Sequence, residues 1–163
     1  LTLCEWIESS AAGAIVRESL YGFPALVTLH VIGLGLSAGT IVWFDLRLLG
    51  VGLGRAPITR VYRQLMPWAF AGFALMFSTG ALLFAGFATS AYANVYFRVK
   101  MAAIALAGLN ALVYHRSTER TVTEWDTTND PPRSARVAGA VSIALWTIVV
   151  LAGRMMSYTL YSR

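Results

Sequence analysis

Four long apolar runs, at about residues 22–46, 64–88, 95–115 and 136–160, decide what this chain can become. At a rise of about 1.5 Å per residue each is long enough to cross the roughly 30 Å of hydrocarbon in a bilayer. Inside lipid every backbone N–H and C=O has to be satisfied within the protein, so runs of this length become helices. Loop signals separate them: LGVGLGRAPITRVYR carries Gly, Pro and three Arg, ATSAYAN is small and polar, and HRSTERTVTEWDTTNDPPRSAR is the one long polar segment. With 57% apolar and 13% charged residues, the 163-residue chain departs from a soluble domain, where about 45–50% and 25% are usual. The reading is an all-α integral membrane four-helix bundle, with residues 1–163 forming one domain.

The opening CEWIESSAAGAIVRESLYGF is too charged to span a membrane. Its Trp6, Ile7, Ala14, Ile15 and Leu20 fall mostly on one side, which predicts an interfacial helix over about residues 4–20. No charged n-region followed by a short apolar stretch marks a signal peptide. The single cysteine, Cys4, cannot form an internal disulfide and is poor material for a zinc or iron–sulfur site. The net charge of +5 comes from basic residues in ones and twos at the ends of apolar runs, the pattern of membrane flanks and not of a nucleic-acid surface. Eight of them, Arg47, Arg55, Arg60, Arg63, Arg116, Arg120, Arg133 and Arg136, lie at the first and third loops. Five, Arg17, Arg98, Lys100, Arg154 and Arg163, lie on the other side. The positive-inside rule then places both loops in the cytoplasm and both termini outside.

Depth follows from direction, because successive helices run oppositely. His30 lies roughly 9 Å in from the outer end of the first span. Lys100 enters the third span to a similar depth, and Arg154 stands at that level before the outer end of the fourth. Thr79 and Gly80, in STGALLFA, come somewhat deeper on the second. Three basic or potentially basic groups at one depth, with no carboxylate among them, cannot neutralise one another, and an unpaired intramembrane charge costs several kcal/mol. Something anionic is expected between them. The alternative is that Lys100 and Arg154 snorkel to the surface while His30 stays neutral and bonds a backbone carbonyl.

His115 ends the third span on the inner side, about 18 Å in depth from His30, so one iron cannot bind both within a protomer. Its expected role is structural, capping its helix or contacting Asp45. Met155 and Met156 follow Arg154 directly, and thioether with imidazole suits haem iron or copper, although only one of the two can face His30. Gly33, Gly35, Ser37, Ala38 and Gly39 strip bulk from the first span. That would let a flat macrocycle approach, or two helices pack closely. No phosphate loop, zinc-protease, redox-dithiol or serine-hydrolase constellation is present. The acids Glu119, Glu124, Asp126 and Asp130 read as solvated loop residues.

The segments LHVIGLGLSAGTIVWFDLRLLG, STGALLFA and YFRVKMAAIALAGLNALVYH resemble small bacterial inner-membrane proteins of uncharacterised function and, more distantly, the CopD and cytochrome b561-like four-helix groups. The likeness covers the first three spans. It implies the bacterial inner membrane, and haem b or copper as cofactor. The b561-like pattern has histidine pairs at matching depths, which this chain lacks. The leading expectation is a haem-binding electron-transfer protein or redox-complex subunit without substrate chemistry of its own. In it His30 is the axial ligand, Lys100 and Arg154 pair the propionates, and Thr79, Gly80 and Gly33 line the pocket. A copper or small-solute transporter using His30 with Met155 or Met156 is the second expectation. A non-catalytic accessory subunit, binding anionic lipid, other membrane subunits or a second copy, is the third.

Overall fold

The computed structural model describes residues 3–51, 56–117, 121–127 and 130–161. Four helices, α3 (Gly22–Leu48), α4 (Ile58–Gly86), α6 (Val95–Ser117) and α8 (Arg133–Tyr161), are long and apolar enough to cross a membrane. Four short ones, α1 (Leu3–Glu8), α2 (Ala11–Glu18), α5 (Ala88–Ala93) and α7 (Val122–Trp125), complete the chain, and no strand occurs among the described residues. The chain is an all-α, multi-pass membrane protein. One end of the bundle, the terminal end, carries α1, α2 and α5. The other, the loop end, carries α7.

The predicted interfacial helix is two helices, because the Ser9–Ser10 pair interrupts it: the Ser10 side chain accepts from the Gly13 N–H at 3.2 Å and so restarts the chain as α2. Arg17 then donates to the carbonyls of Glu8 at 2.7 Å and Gly86 at 3.1 Å, tying α1 and α2 to the C-terminus of α4. The Glu8 carboxylate accepts the Thr89 N–H at 3.0 Å, which holds its pKa below the ordinary carboxylate range. Helix α4 starts at Ile58, about a turn and a half before the apolar run suggests. Its first residues include Arg60 and Arg63, which point outward and dilute the hydropathy signal while Ile58 and Val61 are buried.

At the loop end Arg47 is only 1% exposed. Its Nε donates to the Ala56 carbonyl at 2.9 Å and its Nη2 to the Asp126 carbonyl at 3.4 Å. The Asp126 carboxylate accepts from the Thr59 N–H and hydroxyl, both at 2.8 Å. Trp125 is thereby seated among Phe44, Leu48, Ile58, Val61, Tyr114 and Ala135. A second cluster, Ala38, Met76, Ala103, Ala107, Trp146 and Val149, fills mid-bundle.

Lipid tails are as apolar as leucine, so the hydrophobic effect does not press these helices together, and close packing has to do so. The closest approach is between α3 and α4. A Cβ on Gly72 would stand 2.5 Å from the Ser37 nitrogen and 2.8 Å from the Gly33 oxygen. A Cβ on Gly33 would stand 2.8 Å from the Met76 nitrogen. Gly35 and Gly39, by contrast, meet nothing within 4 Å. The expected result is that Gly72→Ala forces α3 and α4 apart and lowers stability in detergent by about 1–3 kcal/mol. Gly35→Ala should leave the melting curve in place, and equal melting of the two variants would contradict the assigned seam.

Candidate functional site

All four spanning helices meet at one polar cluster in the terminal half of the bundle. Its centre is His30, half-buried in the third turn of α3. The register fixed by Gly33 and Gly72 carries His30 opposite Thr79 and Gly80 on α4. Its Nδ1 lies 3.1 Å from the Thr79 hydroxyl oxygen, and its Nε2 lies 3.4 Å from Lys100 Nζ on α6. Thr79 is 4% exposed, and its hydroxyl donates to the Leu75 carbonyl at 2.7 Å.

These partners assign the tautomer. A lysine ammonium only donates, so Nε2 must offer its lone pair and the ring proton sits on Nδ1. Nδ1–H then finds its acceptor in the Thr79 oxygen, while the Thr79 proton is directed at Leu75. The result is one polarised line of donors from Lys100 through His30 and Thr79 to the backbone of α4. A chain of this kind strengthens each of its members.

Small residues make room for it. A Cβ on Gly80 would stand 3.0 Å from His30 Cε1, so the imidazole lies flat against bare helix. Gly153 on α8 does the same for the lysine stem, with Lys100 Cδ and Nζ both 3.9 Å from where its Cβ would be. No carboxylate pairs with Lys100 among the described residues. Its charge therefore rests on hydrogen bonding alone, in an environment where a bare charge is costly.

Of the residues singled out from sequence, His30, Lys100, Thr79 and Gly80 come together, whereas Gly33, Arg154 and Met155 are packed elsewhere or exposed and Met156 is half-buried on α8. Gly33 faces the α4 backbone, so the space it opens is occupied by helix packing. Arg154 is exposed: its guanidinium lies 4.9 Å over the Tyr158 ring and donates to the Tyr158 hydroxyl at 3.1 Å. Met155 is 42% exposed, and the Met156 carbonyl accepts from Thr159, whose hydroxyl oxygen also accepts from Asn94 at 2.8 Å. His115 stands exposed in the last turn of α6 and does not bond Asp45. Asp45 is buried against Ser142. Sequence reasoning missed Gly153 and Ser142. The signal for Gly153 was its place next to Arg154 at the depth of Lys100.

Nitrogen-15 shifts of the histidine side chain test the tautomer. The parent should show protonated Nδ1 and unprotonated Nε2. Lys100→Met should move the ring toward a tautomer mixture, and Thr79→Val should do so from the other side. A parent ring protonated at Nε2 would contradict the donor line.

No curated protein and no solved structure matches the chain. One family does, over residues 3–159. Nearly the whole bundle, with every residue of the polar cluster, lies inside that match, and the chain belongs to the family of unknown function DUF6644.

Proposed function

We propose that the protein is a cofactor-binding subunit of a membrane redox complex whose His30–Lys100 site receives an anionic, hydrogen-bond-accepting group. The observation that carries this reading is Lys100: an ammonium inside the bundle that leans on an imidazole and has no carboxylate partner among the described residues. A ligand bearing a carboxylate or similar group would supply the missing charge, through a bond of the charge-assisted kind.

Haem fits two of these residues. Metal-binding histidines usually donate their second ring N–H to a fixed acceptor, and Thr79 supplies that anchor for Nδ1 while Nε2 keeps its lone pair. His30 would hold the iron, and Lys100, once off the imidazole, would pair a propionate. The group would contribute one-electron transfer, and the chain its orientation and a low-dielectric surround. With His115 exposed at the opposite end, His30 would be the only imidazole ligand from this chain. A copper site would have to rest on His30 and the methionines. Met155 points outward, so the donor set is thin, and the accessory-subunit reading needs no cofactor at all.

Absorbance of protein purified from haem-replete cells tests the proposal. A Soret band is expected in the parent, absent in His30→Ala, and unchanged in His115→Ala and Arg154→Gln. Lys100→Gln should weaken haem retention tenfold or more, as expected for a charge-assisted bond of about 1.5–3 kcal/mol. A parent with no Soret band, or a band equally strong in His30→Ala, would sink the haem reading.

The proposed setting is a bacterial inner membrane with both termini outside. In a Cys4→Ser background a cysteine at Ser9 should react with an impermeant thiol reagent on intact cells, and one at Thr123 should not. The reverse pattern would turn the bundle over and put the His30 site in the inner leaflet.

A further inference from the structure

The loop half of the bundle buries a second ionisable group, which the His30 site does not use. Asp45 on α3 is 4% exposed, and its Oδ2 has no hydrogen-bond partner among the described residues. Across the helix contact stands Ser142 of α8, itself 8% exposed.

The cationic side chains of the surrounding helices are engaged elsewhere or exposed, and the titratable rings of Tyr62 on α4 and Tyr114 on α6 pack edge-on against Phe44 in the neighbouring cluster. Arg47, two residues on, is directed at the Ala56 and Asp126 carbonyls. Arg136 on α8 pairs with Asp130. Arg60 and Arg63 on α4, and His115 and Arg116 on α6, are exposed. A carboxylate enclosed in this way without a cation is strongly disfavoured.

Size decides which cation can compensate. A Cβ on Gly139 would lie 2.9 Å from the Asp45 carbonyl oxygen and 3.2 Å from Leu48 Cβ, so the α3 and α8 backbones almost touch beside the carboxyl. A hard metal ion needs about six oxygen ligands around it. Here one carboxyl and one hydroxyl are at hand, and no group of three acidic, histidine or cysteine side chains stands together among the described residues. A proton needs one oxygen only.

We propose that Asp45 is a proton-binding site inside the bundle: its carboxyl closes the α3–α8 contact as a neutral acid and gives its proton to water at the loop end when that contact loosens. In that step the O–H bond breaks, its electron pair stays on the carboxylate and a water molecule becomes hydronium. Rebinding reverses it. The site is independent of the His30 cluster, from which the apolar mid-bundle residues around Met76 and Trp146 separate it.

Infrared difference spectroscopy of the full chain in detergent tests this. At neutral pH the parent should show a protonated-carboxyl C=O stretch, shifted in deuterium oxide and missing from Asp45→Asn. Ser142→Ala should move that band, because it removes the hydrogen-bonding hydroxyl, while the ionised loop carboxylates stay where they are. The Ser142 variant keeps the proposal testable should Asp45→Asn fail to assemble. Spectra of parent and Asp45→Asn without a carboxyl-band difference would overturn it. So would a melting temperature that rises with sodium or potassium at fixed pH in the parent alone, which would make Asp45 a metal-cation ligand.

Discussion

Everything polar in the terminal half depends on how closely α3 approaches α4. In lipid, helices gain from packing only what their surfaces allow, and bare glycine backbone allows the most. Gly33 lies on Met76 and Gly72 lies on Ser37, and that antiparallel register places His30 on Thr79. A one-residue slip would rotate His30 by about 100° and leave its ring nitrogens facing apolar side chains. The seam therefore does for the imidazole what a second shell does in a soluble site: it fixes the orientation before any ligand arrives.

The bundle keeps Lys100 and Asp45 far apart. Lys100 and His30 occupy the terminal half, Asp45 the loop half, with Met76, Trp146 and Val149 packed between them. The hydroxyl of Ser37, fully buried on the same helix, is turned back on the Gly33 carbonyl at 2.8 Å and extends no polar path toward Asp45. A lysine and an aspartate in direct contact would have neutralised each other and needed nothing further. Held apart by a dry layer, each calls for its own counter-charge, one an anion and the other a cation. Stability alone gives no reason for that separation. The proposed anion at one end and proton at the other would give one.

How much of this the sequence made legible depends on whether the signal was axial or azimuthal. Depth is axial, and counting residues along helices of known direction was enough to place His30, Lys100 and Arg154 at one level and Thr79 somewhat deeper. Azimuth was not recoverable where a helix carries apolar residues all round, because lipid rewards no particular side. Arg154 and Gly153 are neighbours in sequence, about 100° apart on the helix, and only the glycine faces Lys100. The same ambiguity hid the use of Gly33, since a glycine reads alike whether a cofactor or a backbone fills its space. Asp45 was visible as the last acid of its span. Its burial follows from the stripe Ala38, Ile41, Asp45 and Leu48, which turns that face of α3 inward. The break at Ser9–Ser10 was readable as a cap in retrospect, and one-sided hydrophobicity across it masked the turn.

Arg154 explains why Lys100 stands out. An arginine near the end of a spanning helix can lay its stem along the protein surface and its planar head on an aromatic ring, keeping the charge at the interface. Tyr158 one turn later provides the ring and a hydroxyl, and α8 needs no inward partner for the cation. Lys100 begins at a comparable depth with the same option of reaching outward, but its stem runs inward past Gly153 to His30. Three helices have placed two glycines, a threonine and an imidazole to receive it. A side chain that could have stayed at the interface is drawn into the bundle, and it is on this contact that the proposed ligand site rests.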